Sequence, residues 1–133
     1  MNLSLRNRLA KQTKEANSCN IENCVAKSKN LCFKKNVVYK MHCNKCNKFY
    51  IGSTIRHLHT RIQEHVKSDK NSSIFKHILQ CQNQNDFEIH VIAQERDAVN
   101  LRIREGILIH ERGPDINSKS ELADFQDFLV NID

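Results

Sequence analysis

The chain lacks tryptophan, and only 39% of its 133 residues are apolar. This length fits one domain whose hydrophobic core is sufficient but not large, so a bound metal would add useful stability. The sequence has no stretch of 18 consecutive apolar residues, which excludes a membrane span. We therefore expect a small domain that does not enter a membrane.

The N-terminus also lacks the continuous apolar segment of a secretion signal. Six cysteines without such a signal indicate a reducing compartment, in which thiols bind metals or stay unpaired. A disulfide framework is the less favoured alternative. We therefore expect an intracellular protein.

Positive charge exceeds negative charge: 21 Lys and Arg against 15 Asp and Glu give a formal net charge of +6. Many small proteins carry such an excess as a solvated basic surface. The same excess suits a phosphate-binding face, because counterions released from DNA drive non-specific affinity. The charge alone does not choose between these two interpretations.

Hydrophobic periodicity divides the chain into short strands and helices. The β-branched and aromatic segments 36–41 and 48–52 predict two strands that pair as a hairpin, and 87–92 alternates like a third strand. The helical period predicts helices at 56–66, 74–79 and 97–111, and one more short helix after residue 117. Ser72 or Ser73 would cap the second helix. The third would be packed on two sides and end at Gly113-Pro114. We expect a basic, cysteine-containing linker at 1–35 and the folded domain at 36–133.

Five polar residues follow one another in an order that suggests reaction chemistry. Tyr39 and Tyr50 each lie on one strand of the predicted hairpin. Arg61 and His65 are four residues apart, so their side chains are neighbours on the next helix. Glu105 lies on an apolar stripe of the last long helix, partly out of water. Taken singly, the tyrosines are ordinary core residues and Glu105 an ordinary boundary glutamate. Together they supply the groups that a divalent cation on a phosphate needs.

This ordered set resembles the GIY-YIG nuclease family and, more narrowly, the endonuclease domain of Penelope-like retroelements. Val37-Val38-Tyr39 corresponds to the first motif, with Val-Val in place of Gly-Ile as in retroelement versions, and Tyr50-Ile51-Gly52 to the second. Gly52 would let the backbone turn tightly beside the second tyrosine. Asn117 corresponds loosely to a late asparagine of some members. The resemblance implies an α+β fold, with a small three-stranded antiparallel sheet flanked by helices.

The resemblance also implies cleavage of DNA phosphodiester bonds with one Mg²⁺ or Mn²⁺ ion, and a role for each residue. Tyr39 would be the general base, although a phenol with its ordinary pKa of about 10 needs cationic neighbours for that task. Tyr50 would position the water or the phosphate. Arg61 would stabilise the pentavalent transition state, for which a guanidinium fork is better suited than a lysine. His65 would assist the water or the leaving group, and Glu105 would hold the metal.

The cysteines indicate a second kind of metal site. Cys43 and Cys46 form a Cys-x-x-Cys turn between the two strands, a spacing that can place both sulfurs on one zinc ion. His77 and Cys81 are four residues apart on the second helix and can point the same way. Together the four would form a structural Zn²⁺ site that pins the hairpin turn to the helix. The alternative is free thiols beside a core histidine and cysteine. The retroelement group has a cysteine pair and a downstream histidine pair here, so Cys81 would replace a histidine.

Three further cysteines, Cys19, Cys24 and Cys32, precede the domain. The retroelement group has cysteines in a similar linker, and these three would form a second zinc site with a fourth ligand, for which His42 is the nearest candidate. Unliganded thiols are an equally good interpretation.

The resemblance implies an endonuclease whose nick leaves a 3′ hydroxyl that primes reverse transcription. Its partners would be DNA and a reverse transcriptase domain, and its location the nucleus. One alternative is a zinc-stabilised DNA-binding module that has lost cleavage. Another is a zinc-dependent protein-interaction module, which leaves Arg61 and the tyrosines unexplained. We favour the enzyme, because a pure binder has no need for Glu105 on an apolar helix face.

Overall fold

The computed structural model describes residues 31–122. In this part of the chain the elements follow in the order 3₁₀ turn Leu31–Phe33, β1 Val37–Cys43, β2 Phe49–Thr54, α1 Leu58–Gln63, π-helical turn Glu64–Ser68, α2 Ser73–Cys81, β3 Phe87–Gln94 and α3 Ala98–Arg112. The three strands form one antiparallel sheet in the order β2-β1-β3. The predicted α+β fold is therefore confirmed. None of the helices described is both long and apolar enough to span a membrane.

The central strand β1 separates two apolar layers because successive side chains of a strand point to opposite faces. On one face, Tyr39 and Met41 pack in a cluster with Leu58 and Ile62 of α1. On the other face, Val38 packs in a second cluster that includes three residues of α3, namely Leu101, Leu108 and Ile109. The sheet therefore lies between α1 and α2 on one side and α3 on the other.

The pairing of β1 with β3 contains an irregularity beside the first tyrosine. Val38 pairs with Ala93, whereas Tyr39 pairs with Val91, so β3 has one extra residue at this point. An extra residue of this kind bends the strand and increases its twist. The pairing of β1 with β2 is regular and places Tyr39 opposite Gly52.

Both longer helices begin at side-chain caps. The Ile74 N–H donates to Ser72 Oγ at the start of α2, which settles the choice between the two predicted capping serines. The Asn100 N–H donates to Asp97 Oδ1 at the start of α3. As predicted, α3 ends at Gly113, whose φ of 57° is the left-handed conformation that glycine adopts without strain.

The structure corrects the predicted packing of the last long helix. Only one side of α3 faces the sheet, and Val99 and Ile107 on another side are 65% and 37% exposed. The alternating apolar residues of α3 had suggested two buried sides. The helix predicted at 56–66 begins at Leu58 and changes to a π-helical turn at Glu64. Residues 119–122 are helical, and the rest of the predicted final helix lies outside the described residues.

Candidate active site and metal site

The two tyrosines lie side by side on the α1 face of the sheet. Their ring centroids are 6.3 Å apart, and both side chains are buried. Gly52 lies directly beneath them, since a Cβ added there would be 2.6 Å from Tyr39 Oη and 2.7 Å from Tyr50 Cε1. Gly52 is an extended strand residue, so its role is to leave space for the rings. The prediction of a tight turn at this glycine is wrong, because Gly52 pairs across the sheet with Tyr39.

His65 lies behind the tyrosines on the π-helical turn. Its Nε2 is 2.6 Å from Tyr39 Oη, and its Nδ1 is 2.5 Å from Ser72 Oγ. The imidazole is fully buried and contacts both tyrosine rings edge to face. Burial, together with the nearby charge of Arg61, lowers the pKa of His65 to about 3. The ring is therefore neutral at physiological pH.

Arg61 lies on α1, one turn before His65, and its side chain is partly exposed. Its Nη1 is 3.3 Å from both Glu64 Oε1 and Asp69 Oδ2. Burial raises the pKa of the Tyr39 hydroxyl well above its ordinary value, but Arg61 opposes that shift through its charge and a hydrogen bond. Two carboxylates thus orient the guanidinium next to the phenol.

Glu105 lies on α3, which packs on the face of the sheet opposite the tyrosines. The Ser53 hydroxyl, one residue after Gly52, donates to Glu105 Oε2 at 2.8 Å. Burial raises the pKa of Glu105 to about 7, against the lowering effects of the Ser53 hydrogen bond and the charge of Arg102. The charge of Glu105 also acts on both tyrosines, and that of Arg61 acts on Glu105. The structure therefore brings Tyr39, Tyr50, Arg61 and His65 together on one face of the sheet. Glu105 lies on the other face, bound to Ser53 next to Gly52, and reaches the tyrosines only through its charge.

Several residues support this set through contacts that the sequence did not predict, although Asn117 had a loose counterpart in the family and Ser72 was a candidate cap. The Asn117 side chain makes two hydrogen bonds to the backbone of Ile51, the residue after Tyr50. The Ile51 N–H donates to Asn117 Oδ1 at 3.1 Å, and Asn117 Nδ2 donates to the Ile51 carbonyl at 2.9 Å. Asn117 also donates to Glu121, whose charge further raises the pKa of Tyr50 beyond the effect of burial. Ser53 and Ser72 likewise act through side chains that are common on protein surfaces.

The second site is a group of three cysteines and one histidine, Cys43, Cys46, His77 and Cys81, called here the Cys/His cluster. Its four ligand atoms all lie within 4.8 Å of one another. Cys46 Sγ is 3.4 Å from His77 Nε2, and Cys43 Sγ is 3.9 Å from Cys81 Sγ. Tetrahedral zinc with Zn–S bonds of about 2.3 Å separates sulfurs by about 3.8 Å. The donor set and its spacing therefore fit zinc.

Polar contacts in the Cys/His cluster favour a thiolate at Cys43. The Asn83 side chain donates from Nδ2 to Cys43 Sγ at 3.0 Å. Burial alone would raise the pKa of Cys43. Hydrogen bonds from His77, Asn83 and neighbouring groups lower this pKa to about 6. Zinc binds cysteine as the thiolate, so this environment suits metal binding.

The second predicted zinc site, with Cys19, Cys24 and Cys32, stays a prediction. Cys32 is buried in the core cluster on the α1 side of the sheet, where its carbonyl is 2.9 Å from His59 Nδ1. Cys19 and Cys24 lie outside the described residues.

Comparison with protein families agrees with this geometry. A family model described as the GIY-YIG catalytic domain matches residues 35–119, well over half of the chain. The matched range contains all five residues of the set and the whole Cys/His cluster. Comparisons with curated proteins and with solved structures give no match. GIY-YIG domains are nuclease domains that act on DNA and generally use divalent metals. The chain belongs to the GIY-YIG nuclease family.

Proposed function

We propose that this chain is a metal-dependent DNA endonuclease of the Penelope-like retroelement type. The observation that carries the proposal is the arrangement around β2: Tyr39 and Tyr50 lie over Gly52, Arg61 acts on Tyr39 from α1, and Glu105 is bound to Ser53, the next residue of the strand. A phosphodiesterase needs a base, a cation that binds phosphate and a carboxylate for a metal ion, and these residues supply all three.

Glu105 is the metal-binding residue in this proposal. Its carboxylate has a pKa of about 7, so a bound cation would hold it ionised at neutral pH. Mg²⁺ or Mn²⁺ bound there would polarise the scissile phosphate and stabilise the leaving oxygen. The Ser53 hydroxyl fixes one carboxylate oxygen and leaves the other for the metal.

Tyr39 is the general base in this proposal, and Arg61 offsets part of the rise in its pKa that burial causes. The positive charge of Arg61 favours the phenolate, against the burial that favours the phenol. The same guanidinium would bind the non-bridging phosphate oxygens as negative charge develops in the transition state. Tyr50, packed beside Tyr39, would position the water or the phosphate.

His65 acts on the reaction through Tyr39. Its imidazole is fully buried and contacts the Tyr39 hydroxyl, so it would reach the substrate only through that phenol. A neutral imidazole in hydrogen-bond contact with the phenol can hold the phenol oxygen in place for proton abstraction.

The Cys/His cluster would hold a structural zinc ion. Four protein ligands close the coordination sphere, which is typical of structural rather than catalytic zinc. The ion would fix the turn between β1 and β2 to the end of α2. Since those two strands carry the tyrosines, the same ion would steady the active site.

The retroelement type is supported by the Val37-Val38-Tyr39 motif and by a cysteine pair between the two tyrosine motifs. In that role the nick would leave a 3′ hydroxyl for a reverse transcriptase domain, and the protein would work in the nucleus. The alternative is a zinc-stabilised DNA-binding module without cleavage.

Nicking of supercoiled plasmid in Mg²⁺ or Mn²⁺ distinguishes the two functions. We expect the zinc-loaded protein to produce open circles that a DNA polymerase extends with labelled nucleotide, because extension requires a 3′ hydroxyl. Binding without any nicking would favour the inactive module. Nicks that no polymerase extends would leave the endonuclease but contradict the priming role.

A further inference from the structure

An aromatic cluster lies at the surface where the 3₁₀ turn meets the start of α1. Phe33 is 48% exposed, and its ring centroid is 5.8 Å from that of His57 and 5.5 Å from that of His59. The two histidine rings are 5.6 Å apart and only partly buried. These separations are typical of aromatic rings in contact. A single exposed phenylalanine is common on proteins, but these three rings form one continuous surface, called here the aromatic platform.

The backbone that carries the aromatic platform is fixed by hydrogen bonds. The Leu58 N–H donates to the Lys34 carbonyl at 2.9 Å, which joins the 3₁₀ turn to the first residue of α1. His59 Nδ1 donates to the Cys32 carbonyl at 2.9 Å, and Cys32 is buried in the core. The rings are therefore held in place before any ligand binds, and this preorganisation favours binding.

Basic residues flank the aromatic platform in both segments that form it. Lys34 and Lys35 follow the phenylalanine, and Arg56 precedes the first histidine. Segments 31–37 and 53–60 contain no Asp or Glu. Aromatic rings beside positive charge are the combination that binds single-stranded nucleic acid, because bases stack on the rings and phosphates contact the cations. The composition of this surface therefore fits a nucleotide.

Arg56 lies next to the arginine that would bind the scissile phosphate. Arg56 Nη2 is 2.5 Å from Glu64 Oε1, and Arg61 Nη1 is 3.3 Å from the same oxygen. The two guanidinium groups thus share one carboxylate oxygen and lie side by side. The Arg61 N–H donates to the His57 carbonyl, so the aromatic platform begins one helical turn before Arg61. A DNA strand bound at Arg61 would therefore have its neighbouring nucleotide at this surface.

We propose that this surface is a subsite for the nucleotide next to the scissile phosphate, in which the aromatic platform stacks an unpaired base and Arg56 binds the phosphate of that nucleotide. The position next to the scissile phosphate rests on the proposed nuclease function, whereas the binding of an unpaired base does not. Stacking on protein rings requires a base that has left its duplex. The enzyme would accordingly prefer DNA that is unpaired beside the cut.

Tryptophan fluorescence tests the stacking directly in zinc-loaded protein without Mg²⁺ or Mn²⁺. The chain lacks tryptophan, so Phe33→Trp introduces a single one in the aromatic platform. Val99→Trp introduces one at an exposed position of α3, on the other face of the sheet, as the control. We expect an oligothymidine single strand to quench the emission of Phe33→Trp, and an abasic strand of the same length to leave it unchanged. Equal quenching by both strands, equal quenching in Val99→Trp, or no quenching would overturn the inference.

The same variant detects other occupants of the aromatic platform. If residues outside 31–122 covered the rings, the emission of Phe33→Trp would be blue-shifted and would not respond to oligothymidine. If a second copy of the chain covered them, the emission would also change with protein concentration. Either result would overturn the inference.

Affinities for oligothymidine separate the contribution of stacking from that of charge. Phe33→Leu should weaken binding ~10-fold, and Phe33→Tyr, which keeps an aromatic ring, less than ~2-fold. Arg56→Gln should reduce the slope of log affinity against log salt concentration by ~0.7, the value for one phosphate contact with a single strand. Arg112→Gln, at an exposed position of α3, is the matched control. Wild-type affinity in Phe33→Leu would overturn the stacking, and a wild-type slope in Arg56→Gln would overturn the phosphate contact.

These binding experiments need no cleavage, so their outcome is separate from the fate of the proposed nuclease. Nicking tests the position of the subsite. The wild type should cut DNA with an unpaired base beside the mapped nick ~10-fold faster than the fully paired DNA, and Phe33→Leu should lose this preference. The same preference in both proteins would contradict the position next to the scissile phosphate.

Discussion

The buried carboxylate of Glu105 should destabilise the folded protein at neutral pH when no metal ion is bound. Its side chain is only 7% exposed, and burial raises its pKa from the ordinary 4.5 to about 7. The folded state therefore favours the protonated carboxyl more than the unfolded state does. The contribution of Glu105 to the free energy of unfolding is fully present below the unfolded pKa of 4.5. It is lost as the pH rises through the folded pKa of about 7.

The size of the effect follows from the two pKa values. The difference between 4.5 and about 7 corresponds to about 3 kcal/mol of unfolding free energy. Glu105→Gln removes the ionisation and keeps an oxygen that accepts from Ser53. The stability of the wild type relative to this variant should therefore fall by about 3 kcal/mol between pH 4 and pH 8.

Urea unfolding of both proteins at several pH values, without divalent metal, measures this difference. Other titrating groups are shared, so their contributions cancel between the two proteins. Glu111→Gln makes the same chemical change at an exposed position of the same helix and serves as the control. Added Mg²⁺ should stabilise the wild type at pH 8 and leave Glu105→Gln unchanged. A wild-type minus Glu105→Gln difference that is flat with pH would mean that folding does not raise the pKa of Glu105.

Three further predictions concern the other parts of the site. Arg61→Lys should lower the single-turnover nicking rate by ~100-fold and leave the DNA affinity nearly unchanged, because the guanidinium acts mainly on the transition state. An equal loss of DNA affinity would contradict this role. Gly52→Ala should reduce the unfolding free energy by about 1–3 kcal/mol and abolish nicking, since its Cβ would collide with Tyr39 Oη; unchanged urea unfolding would argue against the packing described. Both Cys46→Ser and a zinc chelator should lower the midpoint of thermal unfolding. Added Zn²⁺ should restore the midpoint of the chelator-treated wild type but not that of Cys46→Ser, and a midpoint insensitive to the chelator would exclude structural zinc.

The sequence predicted those parts of the site that depend on local spacing. The tyrosines lie on strands because segments rich in β-branched and aromatic residues favour a sheet. Cys43 and Cys46 are close because one turn separates them, and His77 and Cys81 are close because they are one helical turn apart. Such relations hold within a few residues and need no knowledge of the tertiary structure.

The parts that could not be predicted depend on how the elements pack. Gly52 lies under Tyr39 because of the strand register, which periodicity does not determine. His65 points to Tyr39 from a π-helical turn that a regular helical period does not anticipate. Ser72 looked like a helix cap and is one, but its contact with His65 comes from the packing of α2 against that turn. The alternating apolar residues of α3 suggested two buried sides, although one of those sides faces solvent.

The most direct test of metal-dependent cleavage through Glu105 is nicking of supercoiled plasmid by the wild type, Glu105→Gln and Glu111→Gln, at equal zinc content and in Mg²⁺. We expect nicking by the wild type and by Glu111→Gln, and none by Glu105→Gln. Equal nicking by all three proteins would contradict the assignment of the metal to Glu105. A complete absence of nicking would contradict the enzyme itself.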